Sequence, residues 1–184
     1  MLFRSTVVGS SQPILTIQNS SDAEGDVITY DFEVYDALPT RAMITSASDV
    51  PEGTETTSWI VDITLTENQQ FFWKARSFDQ FEYSEWSGYA SFWVNATEEP
   101  PTDFQVSSPP DETIYEMLPE FTWGVSTDPD PFDTVKYTLE IAIDENFLYK
   151  NTIEGILPND YTLPDTDSLL FGIEYWWQIG RAHV

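Results

Sequence analysis

Two stretches of this chain repeat each other, and that repeat limits the fold more than any other feature. Ile17-Gln18-Asn19-Ser20-Ser21-Asp22-Ala23-Glu24 lies over Trp123-Gly124-Val125-Ser126-Thr127-Asp128-Pro129-Asp130. One inserted residue later, Asp26-Val27-Ile28-Thr29-Tyr30-Asp31-Phe32-Glu33 lies over Asp133-Thr134-Val135-Lys136-Tyr137-Thr138-Leu139-Glu140. Leu65 through Phe71 and Trp73 match Leu169 through Tyr175 and Trp177. Loop insertions produce small drifts of this kind. Internal repeats set the architecture before any other signal does, so the 184 residues read as two small domains rather than one large one.

Each copy is patterned for strands. ILTIQ (14–18), VITYDFEVY (27–35), TTSWIVDI (56–63), QFFWKARSF (70–78) and ASFWVN (90–95) are rich in β-branched and aromatic residues. Ile28, Tyr30, Phe32 and Val34 alternate with Thr29, Asp31 and Glu33, the period-2 pattern of a half-buried strand. Turn clusters such as NSSDAEGD and DVPEGTET separate the runs. No stretch holds a helical period. The class this predicts is all-β, two tandem sandwiches. Ala96-Thr97-Glu98-Glu99-Pro100-Pro101-Thr102 carries two prolines, which cannot donate to a ladder, and charges that keep it solvated. The expected organisation is a domain over 1–97, a linker over 98–101, a second domain over 102–178, and a tail over 179–184.

The repeated residues resemble fibronectin type III domains, which have an immunoglobulin-like β-sandwich fold. Leu65 with Phe71 and Leu169 with Tyr175, each followed two positions later by Trp, look like the family's tyrosine corner and the start of its strand F. Phe71 has no hydroxyl for the corner hydrogen bond. Trp123 is similar to the family's core Trp of strand B, and Ile17 takes that place in the first copy. The resemblance implies a spacer or binding module and is silent on the ligand. It also implies that the first copy has an incomplete first strand and that the second lacks its last. The final residues, Ile179-Gly180-Arg181-Ala182-His183-Val184, match the translation of a common sequencing-adapter read and are expected to be non-native.

Charge narrows the partners. Against 32 Asp and Glu stand 7 Lys and Arg, a net charge of −25. A phosphate backbone is repelled by such a surface, which argues against nucleic acid, and an anionic membrane is disfavoured for the same reason. No apolar run reaches the ~20 residues that span a bilayer. The opening MLFRSTVVGSSQ is not a signal peptide, so an exported chain would carry its signal upstream. There is no cysteine, which removes disulfides, thiolate nucleophiles and Cys-based zinc sites. The one histidine, His183, lies in the expected tail. A Ser-His-Asp system therefore has no base, and no catalytic residue is assigned.

Four features stand out as sites. The acidic loops Asp22-Ala23-Glu24-Gly25-Asp26 and Asp128-Pro129-Asp130-Pro131-Phe132-Asp133 offer Asp22, Glu24, Asp26, Asp128, Asp130 and Asp133 as ligands for Ca²⁺, a hard ion that takes several carboxylate and carbonyl oxygens. Alternatively, each loop is a solvated turn in which Asp caps its own backbone. No other cofactor is expected. Tyr83-Ser84-Glu85-Trp86-Ser87 resembles the WSXWS box of cytokine-receptor type III domains, with Tyr for the first Trp. Lys74 and Arg76 alternate with Trp73 and Ala75, so they project outward, and Arg76 is expected against Trp86 with Tyr83 or Lys74 extending the ladder. Seven Trp residues raise sugar stacking as a second function, though Trp73, Trp123 and Trp177 read as core. Asn19-Ser20-Ser21 and Asn95-Ala96-Thr97 fit the glycosylation acceptor pattern.

Together these features predict a non-catalytic spacer or adhesion module of a bacterial-type extracellular or cell-surface protein. Its partner would be a protein or a surface glycan. The alternative is a carbohydrate-binding accessory module.

Overall fold

The computed structural model describes residues 6–37, 41–111 and 116–183. Contacts divide the chain into two compact units, Met1–Glu98 and Glu99–Val184.

Among the described residues seven strands build the first unit: β1 (Thr6–Val8), β2 (Ile14–Gln18), β3 (Thr29–Tyr35), β4 (Met43–Pro51), β5 (Thr56–Ile60), β6 (Gln70–Phe78) and β7 (Ala90–Val94). Five of them form one sheet in the order β1-β7-β6-β3-β4, and β2 pairs with β5 in the other. All pairings are antiparallel except β1 with β7. Alternation selects the core. Tyr30, Phe32 and Val34 of β3, Phe71 and Ala75 of β6, and Phe92 and Val94 of β7 pack with Leu15, Ile28, Val61 and Leu65, while Trp59 and Trp73 lie half-buried against them. The cluster joins both sheets and contains Ile28, Tyr30, Phe32 and Val34, the face that the alternation assigns to it, whereas Trp73, read as core, is only half-buried against it.

The strand β4 is absent from the sequence reading. Its residues MITSASDVP are mostly exposed and lack a regular apolar alternation. The strand is instead held by backbone pairing to β3, whose register shifts between Tyr30 and Phe32. Beside that shift Asp49 takes a positive φ of 56°, and its N–H donates to Asp31 Oδ1.

Among the described residues of the second unit the strands are β8 (Val106–Ser108), β9 (Glu120–Trp123), β10 (Val135–Ala142), β11 (Lys150–Ile156), β12 (Asp160–Thr162) and β13 (Trp176–His183), with a 3-10 turn at Asp165–Asp167. They form two three-stranded sheets, β12-β9-β8 and β11-β10-β13. Phe121, Trp123, Tyr137, Leu139, Ile141, Ile156 and Leu163 make the core, with Tyr175, Trp177 and Ile179 half-buried against it. The segment expected as a tail continues β13, where Ile179 pairs with Leu139 and His183 with Val135.

Both units are immunoglobulin-like β-sandwiches. The pairs β2-β5 and β9-β12 correspond, as do β4-β3-β6 and β11-β10-β13. Among the described residues, nothing in the second unit occupies the place that β7 takes beside β6. The corner also differs. The Tyr175 hydroxyl accepts the N–H of Leu170 at 3.1 Å, whereas Phe71 stacks on Phe92 with centroids 5.8 Å apart.

Candidate functional site

The outward face of β6 carries the densest chemistry in the molecule. Because Phe71 and Ala75 turn into the core, Phe72, Lys74 and Arg76 turn out. The YSEWS segment lies beside them, and its two serines bind it to β6. Ser87 donates its N–H to the Ala75 carbonyl at 2.8 Å, and Ser84 donates to the Ser77 carbonyl at 2.9 Å. The Ala75 and Ser77 N–H groups donate back to the hydroxyls of Ser87 and Ser84, each at 3.0 Å. The segment thus continues along β6 where pairing with β7 ends at Trp73.

Held this way, the aromatic rings interleave with cations. The Arg76 guanidinium sits 3.7 Å from the Tyr83 ring centroid and 4.5 Å from that of Trp86. The Lys74 ammonium lies 4.2 Å from Trp86 and 5.7 Å from Tyr89. The array continues to Arg41, which lies 4.6 Å from Tyr89 and 4.3 Å from Phe72. Its other end closes on Phe78, stacked against Tyr83 at 4.5 Å. Aromatic and cationic rungs therefore alternate from Phe72 to Tyr83, and Phe78 caps the last ring. Each contact contributes ~0.5–1 kcal/mol where exposed and more where desolvated.

Carboxylates of β3 lie under the cations. Register places Asp31 opposite Arg76 and Glu33 opposite Lys74. Asp31 Oδ2 accepts from Arg76 Nε at 3.0 Å and Nη2 at 2.9 Å, and Lys74 Nζ lies 2.9 Å from Glu33. Burial opposes ionisation of Glu33, but hydrogen bonds from Tyr35 and Lys74, with the charges of Lys74 and Arg76, hold its carboxyl below the usual range. Burial likewise works against the Lys74 cation, and Glu33 and Tyr35 outweigh it, raising the ammonium pKa. Tyr35 is raised by burial and by its hydrogen bond to Glu33. Asp31, assigned by alternation to the solvent face, is 7% exposed because Arg76 covers it.

The expected contact of Arg76 with Trp86, extended by Tyr83 and Lys74, is present. Sequence reasoning missed Arg41 and Tyr89. The loop carrying Arg41 has no pattern of its own. Tyr89 lies two residues past the YSEWS segment, and the register of the outward β6 residues was the available signal for it.

The acidic loops differ from each other. In the first, Asp22 Oδ1 accepts the N–H groups of Glu24, Gly25 and Asp26 at 2.9, 2.7 and 3.0 Å, with Gly25 at a φ of +82°. Asp22, Glu24 and Asp26 form no group of three converging carboxylates among the described residues. In the second, Asp128 Oδ1 accepts the Asp130 N–H at 2.9 Å. Asp130 is 3% exposed, and its Oδ2 accepts the Glu99 N–H at 2.9 Å. Asp130 and Asp133 bring carboxylate oxygens within 4.8 Å of each other.

At the first glycosylation-type triplet the asparagine is already engaged. Asn19 Nδ2 donates to the Gly53 carbonyl at 2.7 Å, and its Oδ1 accepts from Thr57 at 2.8 Å. None of the seven Trp residues is exposed: Trp123 is buried and the other six are half-buried. The His183 side chain lies outside the described residues.

No protein-family model matches the chain, and no curated protein matches it. Among solved structures it is similar to the crystal structure of the chicken CNTN1 FN1-FN3 domains, with a TM-score of 0.38 and 13% identity. That match covers 98% of this chain and 64% of that one. No helix among the described residues is long and apolar enough to cross a membrane.

Proposed function

We propose that the chain is a non-catalytic spacer and protein-interaction module of an extracellular or cell-surface protein. One observation carries this reading. Its richest array of recognition-type side chains is consumed internally, each cation of the ladder being held between rings and, for Lys74 and Arg76, against a β3 carboxylate. Such an array stiffens a sheet face and leaves little binding capacity unspent. The absence of any exposed Trp supports a spacer over a sugar-stacking platform, which needs flat rings open to solvent.

Affinity electrophoresis through gels containing cellulose, xylan, chitin or mannan derivatives tests the reading, with tryptophan fluorescence as a second readout. The expected result is unretarded migration and unchanged emission. Retardation by one polysaccharide, abolished by Trp86→Ala or Trp93→Ala, would replace this reading with the carbohydrate-accessory one.

A further inference from the structure

One cation of the ladder differs from the other two. Lys74 and Arg76 each pair with a carboxylate that β3 supplies, Glu33 and Asp31. The outward residues of β3 recur in steps of two, and the next in the series, opposite Phe72, is Tyr35. Its hydroxyl donates to Glu33, so β3 brings no third carboxylate. Arg41 lies against Phe72 and Tyr89 at that end of the ladder and makes no ion pair among the described residues. Residues 1–5 and 38–40 complete the first unit and contain no Asp or Glu. Asp36, the acid nearest to Arg41 in the sequence, receives the Ala42 N–H instead.

Rings rather than hydrogen bonds hold this guanidinium. Its carbon lies 4.3 Å from the Phe72 centroid and 4.6 Å from that of Tyr89. Its Nε is buried with no acceptor. The two Nη groups have no acceptor among the described residues either, and they remain open to solvent. A buried donor without a partner costs free energy. The backbone adds to that cost, because Arg41 has a φ of 41°, in the region that favours glycine and asparagine. Strain of this kind clusters at ligand-binding positions.

We infer that Arg41 is a binding site for one side-chain carboxylate of a partner polypeptide, which does for this rung what Asp31 and Glu33 do for the other two. The Nη pair is a planar fork that matches the two oxygens of a carboxylate. The net charge of −25 repels a phosphorylated or sulfated polyanion and attracts a segment whose single Asp or Glu is set among basic residues. Tyr89 is already engaged by Arg41, Lys74 and Tyr35, which disfavours a uronate sugar, since stacking needs a free ring. The inference names the partner chemistry of the protein-interaction reading and rests on that reading.

The probe is an end-blocked peptide with one glutamate between two lysines, titrated into the full chain and followed by NMR at the Arg41 Nε–H, whose burial slows its exchange with water. The expected result is a saturable shift at roughly millimolar peptide, as a single charge pair gives, weakened by added salt. The same peptide with glutamine in place of glutamate should leave Arg41 unshifted. Arg41→Lys keeps a cation beside the rings but loses the fork, so the Tyr89 ring shifts should need about fivefold more peptide. Arg41→Gln should abolish them. An equal response to the glutamine peptide, no response at Arg41, or Tyr89 shifts that persist in Arg41→Gln would overturn the inference and leave the protein-interaction reading intact. Tighter binding of inorganic phosphate would overturn it by making the site a general anion site. Tighter binding of galacturonate would overturn both the inference and the protein-interaction reading.

Discussion

The backbone N–H of Ser126 donates to the hydroxyl of Tyr137 at 2.8 Å. In the first unit the N–H of Ser20 donates to Tyr30 at 2.7 Å. These residues are partners in the sequence repeat, so the repeat preserves a tertiary contact as well as a pattern of hydrophobicity. In both units the hydroxyl ties the strand leading into the acidic loop to the strand leaving it. The surroundings differ, because Ser126 is buried and Ser20 is exposed.

That difference predicts unequal costs. Tyr137→Phe leaves a buried N–H without a partner, which costs about 1–3 kcal/mol. Tyr30→Phe exposes the Ser20 N–H to water and should cost closer to ~1 kcal/mol, despite also losing the bond to Glu52. Urea denaturation of each variant, read in its own unit, checks the order. A larger loss for Tyr30→Phe would contradict the assignment.

The ladder yields a second prediction. Arg76→Ala removes a partner from Asp31, whose carboxylate is nearly buried, and uncompensated buried charges typically cost ~3–5 kcal/mol. Lys74→Ala frees Glu33, which is better solvated, and should cost ~1–2 kcal/mol including its ring contacts. Arg76→Ala with Asp31→Asn should recover part of the loss, because no charge is then stranded. If Arg76→Ala is as mild as Lys74→Ala, the Asp31 pair is not what anchors the ladder.

Much of this was legible in the sequence, and the rest was not for identifiable reasons. Tyr30, Phe32 and Val34 announce their face because apolar residues recur with the period of a strand. Lys74 and Arg76 are placed by the same count, so the ladder's centre follows once YSEWS is seen. The strand β4 escapes because an exposed edge strand needs no apolar stripe. The burial of Asp31 escapes because it depends on long-range register between β3 and β6, which no local pattern encodes. The acidic loops are conspicuous, but composition cannot distinguish a ligand set from a turn in which one carboxylate receives three N–H groups.

That ambiguity has a direct test. Asp22 Oδ1 receives three N–H groups of the first loop, so as a cap its loss in Asp22→Ala should lower the first unit's stability by about 1 kcal/mol in chelator. Millimolar calcium should leave that difference unchanged. A calcium-dependent thermal shift that disappears with Asp22→Ala would make Asp22 a ligand rather than a cap.

The acid limb of the first unit's stability should report Glu33. Its folded pKa is lowered, so its contribution is fully present above the unfolded value of ~4.3. The contribution is lost as pH falls through the folded value. Lys74, whose pKa is raised, contributes fully below its unfolded value of ~10.4 and loses that contribution as pH rises through the folded one. Glu33→Gln should therefore flatten the loss below pH ~4, and Lys74→Met should flatten the alkaline limb. An unchanged acid limb in Glu33→Gln would show that other carboxylates govern it.

The two units should also melt apart, the second first. Fully burying a large apolar side chain contributes about 1.5–3 kcal/mol, and β7 gives the first unit two such residues, Phe92 and Val94. The second unit has no counterpart among its described residues. Its strand β13 stands at a sheet edge, and Tyr175, Trp177 and Ile179 remain half-buried. A domain of this size has only ~5–15 kcal/mol of stability, so two missing side chains are a large share of it. Calorimetry of the full chain should resolve a lower transition that moves with Tyr137→Phe and an upper one that moves with Arg76→Ala. Expressed separately, residues 1–98 should unfold at a higher temperature than residues 99–184, and the latter should aggregate more readily through the open edge. A single cooperative transition, shifted alike by both substitutions, would mean that the units do not unfold independently and would remove the basis for ranking them.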